Sequence, residues 1–73
     1  MKLQIIKNNE SKKFIVKMLD NSALICFEHG KTPSEILDKV NNHINNSINP
    51  YASQIWSNFK KLMLEIPKSE WLK

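Results

Sequence analysis

Gly30-Lys31-Thr32-Pro33-Ser34-Glu35-Ile36-Leu37 divides this chain into a strand-forming half and a helix-forming half. Thr32 carries a hydroxyl that can accept from a free helical N–H. Pro33 suits the first helical position because its missing N–H would have had no partner there. Glu35 stands where its carboxylate can reach back toward the start. These residues predict a helix beginning at 33. Gly30, the chain's only glycine, marks the exit from whatever precedes it.

Downstream, Ile36, Leu37, Val40, Ile44 and Ile48 recur at helical spacing, so the helix is expected over 33–47. Its apolar stripe turns inward, and Asp38, Lys39, Asn42, Asn45 and Asn46 turn to water. Asn49-Pro50 repeats the logic of a capping side chain before a proline and opens a second helix over 50–66. Ala52, Ile55, Phe59, Leu62 and Ile66 form its main stripe, widened by Trp56 and Met63. Pro67 ends it by pushing Ile66 out of the helical region. Residues 68–73 are expected to make a short turn that folds Trp71 and Leu72 back onto the body.

Upstream, β-branched and aromatic runs at 2–8, 12–19 and 23–28 are separated by the polar breaks Asn9-Glu10-Ser11 and Asp20-Asn21-Ser22, the pattern of a meander. The expected fold is α+β: a three-stranded antiparallel meander followed by two α-helices (βββαα), two-layer, in a single domain 1–73. Alternation assigns Leu3, Ile5, Phe14, Val16, Met18, Ile25 and Phe27 to the face that receives the first helix. Ile6, Ile15, Leu19, Leu24 and Cys26 fall on the other face with Gln4, Lys13 and Lys17. That second set is too apolar for plain solvent surface, so the second helix or another molecule is expected to cover it; the alternative is that both helices pack on the same side, the commoner layout for a two-layer α+β domain.

The strands followed by Gly30-Lys31-Thr32-Pro33-Ser34-Glu35-Ile36-Leu37 resemble the sheet-to-helix passage of HicB-type antitoxin domains, in which a glycine, a threonine cap and a glutamate open the helix. The glycine-containing loop that precedes the third strand in that family has no counterpart here.

A chain of 73 residues holds one small core, and such cores return little more than the conformational entropy they cost. A single cysteine, Cys26, cannot make an internal disulfide, and no residues show metal-ligand spacing, so a partner or a homodimer is the expected source of further stability. With no leading apolar segment and no long apolar run, no membrane association is expected, and the location read from the sequence is cytoplasmic. Net charge is +4, and all the permanent positive charge is lysine. The bias toward Asn, Ile and Lys is typical of AT-rich coding DNA and suggests a low-GC bacterium or its phage, in which case the location is the host cell cytoplasm.

Catalysis needs a nucleophile or an acid–base pair within hydrogen-bond reach. Cys26 and His29 point to opposite faces of a strand, His43 borders the first helix's stripe, and Glu35 is accounted for by capping. No enzyme, cofactor or metal site is therefore expected. One glycine also excludes a glycine-rich phosphate loop. Lysines near the sheet give non-specific, salt-dependent affinity for nucleic acid, but without arginine the commonest base-reading fork is absent.

Tyr51, Trp56 and Trp71 lie off the second helix's main stripe or beyond its last proline. With Ile15 and Leu19 they are the expected partner-binding residues, because Trp and Tyr are enriched among interface anchors. Lys7, Lys13 and Lys17 are the expected contacts to phosphate or to an acidic surface. The function read from the sequence is a small non-enzymatic protein-interaction module, a phage or mobile-element inhibitor of a host or defence protein (anti-CRISPR-like) acting by steric occlusion. The alternative is a small basic nucleic-acid-binding or antitoxin-like regulator, and a structural homodimer subunit is a third reading.

Overall fold

The computed structural model describes residues 1–71. Strands β1 (Lys2–Asn8), β2 (Lys13–Asp20) and β3 (Ala23–Gly30) form one antiparallel sheet in the order β1-β2-β3. Helices α1 (Pro33–Asn46) and α2 (Pro50–Glu65) and the single turn α3 (Lys68–Trp71) follow. The expected βββαα order and two-layer arrangement hold. Leu72, expected to fold back beside Trp71, and Lys73 lie outside the described residues.

The turns explain the meander. Asn8 Oδ1 accepts from the N–H groups of Glu10 and Ser11 at 3.0 and 3.3 Å, which tightens the β1–β2 loop, and Lys12 closes it with φ 56°. Between β2 and β3 the paired residues Asp20 and Ala23 leave only Asn21 and Ser22 for the turn, with φ of 50° and 74°. Positive φ at both central residues is the mirror-image turn whose twist matches that of the strands.

The helix starts follow the capping residues. Thr32 Oγ1 accepts from Glu35 N at 3.1 Å. Glu35 Oε2 accepts from Lys31 N at 3.0 Å, one residue upstream of the cap. At α2, Asn49 Oδ1 accepts from Tyr51 N at 2.9 Å. Ile66 ends α2 in extended backbone (φ −77°, ψ 125°), as Pro67 requires. Ser47 is likewise extended (φ −80°, ψ 122°) and ends α1 before the stripe completes another turn. Ile48 therefore leaves the stripe to which its spacing assigned it and is 98% exposed.

Both helices pack on one side of the sheet, α1 over β3 and α2 over β1, and against each other. The core consists of Val16 and Met18 from β2, Ile36 and Val40 from α1, Phe59 and Met63 from α2, and Trp71 from α3. Only the central strand contributes fully buried side chains, because it alone lies beneath the seam between the helices. Each such side chain stabilises the fold by about 1.5–3 kcal/mol relative to exposure.

The phase of β3 differs from the alternation expected. Cys26, not Ile25 and Phe27, faces the helices, paired with Met18, and Glu28 and Gly30 follow on that face opposite Val16 and Phe14. Ile25 is the extra residue of a β-bulge between the Met18–Cys26 and Leu19–Leu24 pairs. Phe27, opposite Lys17, points away from the helices and is 53% exposed. The cause is the closeness of α1. A Cβ on Gly30 would lie 3.0 Å from Ile36 Cγ1 and 3.3 Å from Glu35 Cγ, so β3 presents small or hydrogen-bonded side chains to the helix and turns its phenylalanine outward.

Candidate interaction surface

Because both helices lie on one side, the other side of the sheet is uncovered. The strand registers assemble it. Ile6 stands opposite Ile15, Leu19 opposite Leu24, and Lys17 between Gln4 and Phe27, with His29 opposite Ile15. Lys2 faces Leu19, and Lys13 faces Asn8. Ile6, Leu24 and Phe27 are exposed, and Ile15 and Leu19 are half-buried by their neighbours alone. No carboxylate stands at any of these outward register positions. The face is thus an apolar patch crossed by lysines, with unopposed positive charge.

The residues expected to bind a partner do not form one surface. Ile15, Leu19, Lys13 and Lys17 come together on the open face. Lys7 does not join them: it lies in the phase of Leu3 and Ile5, with its ammonium 5.8 Å from the centre of the Phe14 ring. Tyr51 is 74% exposed in the first turn of α2, in the helical layer on the opposite side of the sheet. Trp71 is 7% exposed and meets Phe14 edge-to-face, ring centres 5.4 Å apart. Its expected role as a partner anchor gives way to a core role, since α3 turns the indole inward after Pro67. Sequence reasoning also left Ile6, Leu24 and Phe27 out of the contact set. The first two were already assigned to this face by alternation, but Phe27 required knowledge of the bulge.

Trp56 belongs to a polar junction that links three elements. Its indole stacks on the His43 ring at 4.1 Å with planes 10° apart, and His43 Nε2 is 2.8 Å from Glu28 Oε2. Glu28 Oε1 accepts from His29 N at 3.0 Å, and Lys39 Nζ donates to the His29 carbonyl at 2.8 Å while lying 3.9 Å from Glu35 Oε1. Burial pulls the Glu28 pKa upward, but the His29 N–H, the His43 ring and the Lys39 charge outweigh it and hold the carboxyl below its ordinary value. These contacts tie β3 to α1 and α2.

Cys26 faces the helices, and burial pushes its thiol up to about 11, which leaves little nucleophilic thiolate at neutral pH. His29 points to the opposite face of the strand. Among the described residues no group of three or more His, Cys, Asp or Glu could hold a metal ion, and no helix is long and apolar enough to cross a membrane.

No family model matches the chain, and neither a curated protein nor a solved structure does. The likeness of Gly30–Leu37 to antitoxin domains therefore rests on helix-capping chemistry alone.

Proposed function

We propose that this chain is a small protein-interaction module that docks through the open face of its sheet onto an acidic, apolar-bearing surface of another protein and acts by covering that surface. The observation that carries the proposal is the contiguous set Ile6, Ile15, Leu19, Leu24 and Phe27, crossed by Lys17 and flanked by Lys2 and Lys13 with no carboxylate among them. An apolar centre supplies affinity on desolvation, and the lysines steer encounter and select an acidic partner. A second copy of the chain fits this face poorly, because two such faces would bring lysines against lysines. Inhibition of a host or defence protein by occlusion, in the manner of a phage or mobile-element accessory protein, is the more particular form of this proposal. Its support is the small size and the composition.

The test compares capture of partners from a native lysate by the wild-type chain, by Lys17→Glu and Phe27→Ser on the open face, and by Tyr51→Ala in the helical layer. The expected result is that both face variants lose a partner that Tyr51→Ala retains. Retention by the face variants would move the contact elsewhere.

The same lysines favour a second reading, a non-specific nucleic-acid binder that lays the sheet along a phosphate backbone. Here Phe27 offers one ring for stacking. Titration with generic duplex and single-stranded DNA at low salt decides it, since a chain that relies on lysine–phosphate contacts must bind there if anywhere.

A further inference from the structure

The two edge strands of the sheet dispose of their outer backbone groups differently. In an antiparallel ladder the N–H and C=O of one residue point to the same side, and successive residues alternate between facing the neighbouring strand and facing away. On β3, His29 N donates to Glu28 Oε1 and His29 O accepts from Lys39 Nζ, so His29 turns its backbone away from β2. Its partner Ile15 therefore directs its own backbone groups toward β1, where it stands opposite Ile6. By alternation the N–H and C=O groups of Leu3, Ile5 and Lys7 point to the free edge of β1. Among the described residues no hydrogen bond takes them.

The β3 edge is closed at His29 by a carboxylate and an ammonium and is broken by the bulge at Ile25. Such devices protect an edge from further pairing. β1 has neither: it pairs with β2 residue for residue from Lys2 to Asn8 without irregularity. Beside it runs a groove of about 520 Å³ whose apolar lining includes Leu3, Ile5, Phe14, Leu62 and Ile66. A strand added to β1 would place alternate side chains in this groove and continue the open face with the others.

We infer that β1 is a β-augmentation edge that accepts an extended acidic and apolar segment of another protein. Main-chain hydrogen bonds to Leu3, Ile5 and Lys7 supply affinity, and the groove supplies selection. The charge comes from β1 itself, which carries Lys2 and Lys7 and no carboxylate. Opposite charges across neighbouring strands attract and like charges repel, so the segment bears carboxylates near these two ends. Glu65 and Glu70 line the same groove and leave its interior to apolar side chains. A second copy of the chain would bring lysines of its own and is the poorer occupant.

This surface adjoins the open face, shares Lys2 with it, and extends the interaction reading, on which it rests. The test uses the isotopically labelled full chain and extended peptides of about six residues, the usual strand length. One has Glu at each end and Val between, one replaces each Glu by Lys, and one carries a central proline in the acidic sequence. The acidic peptide is expected to slow exchange of the Leu3, Ile5 and Lys7 amides about tenfold or more, and the other two are not. Lys7→Pro removes one outward N–H and no bond to β2, and should weaken binding about tenfold. Lys7→Glu, which keeps the strand geometry, should shift preference toward the lysine peptide.

Protection of the same amides that rises with protein concentration and needs no peptide would show a second copy at the edge and overturn the inference. So would failure of every peptide at millimolar concentration, or a response confined to Ile15, Lys17 and Phe27 and unchanged by Lys7→Pro. The last outcome would leave the open-face proposal standing.

Discussion

β1 and β3 flank the same central strand, and each has a helix packed over it, yet their surroundings differ. On the β3 side α1 approaches so closely that a Cβ at position 30 would crowd Ile36 and Glu35, and Lys39, His43 and Glu28 tie helix to strand by hydrogen bonds. On the β1 side α2 stands off far enough to leave a groove, Trp71 packs against Phe14, and the outer backbone groups of the strand have no partner among the described residues. Close approach and polar ties occupy the backbone of one edge at His29 and a bulge breaks it at Ile25. The looser, apolar junction leaves the other edge regular and, among the described residues, unoccupied, which is the ground of the proposed strand addition. The difference shows that the availability of a sheet edge depends on the helix behind it as much as on the strand.

The largest effect expected from probing this contrast is at Trp71. Trp71→Ala empties the core beside Phe14 and should cost about 3 kcal/mol, the lower end for buried tryptophan, measured by urea denaturation. That is a large part of the whole stability of so small a domain. A near-neutral result would mean that α3 does not support the β1 side. Gly30→Ala addresses the β3 side. Its added methyl meets Ile36 and Glu35, and a loss of about 1–2 kcal/mol is expected from overpacking. A neutral outcome would show that α1 yields easily, removing the proposed reason for the phase of β3.

The polar ties are tested through pH. Glu28 has a lowered pKa in the folded chain, so its contribution is present above the unfolded value of 4.5 and is lost as pH falls through the lower folded value. Glu28→Gln should therefore be less stable than wild type at neutral pH, and the gap should narrow in acid over that window. A constant gap in thermal melts across pH would place the effect in packing and not in charge. The smallest effect is expected at the turn. Ser22 holds φ 74°, and Ser22→Gly should relieve backbone strain and raise stability by about 0.5–1 kcal/mol. Denaturant midpoints of the two chains check this, and because the turn joins β2 to β3 the change should leave the β1 edge unaltered.

Much of the architecture was legible because it depends on neighbours in sequence. Thr32, Pro33 and Glu35 start α1, Asn49 and Pro50 start α2, and Pro67 ends it, each through a hydrogen bond or steric contact spanning only a few residues. The candidate surface was legible only in part. Ile15, Leu19, Lys13 and Lys17 share a face by simple alternation, whereas Phe27 changed sides because a bulge at Ile25 shifts the phase without any Gly or Pro to announce it. Trp71 is expected from the sequence both to fold back onto the body and to anchor a partner, and its burial depends on how α3 meets Phe14, a residue far away in the chain.

The sequence by itself determined the order of elements, their ends and the alternating pattern that makes a second apolar face, since period, capping and turn chemistry act over a few residues. Tertiary structure decided that both helices share one side, which leaves the other face bare. It also decided that α1 presses close on β3 while α2 leaves a groove beside β1. Those outcomes depend on side-chain volumes meeting across long sequence separations, as where Trp71 packs against Phe14 and Trp56 stacks on His43.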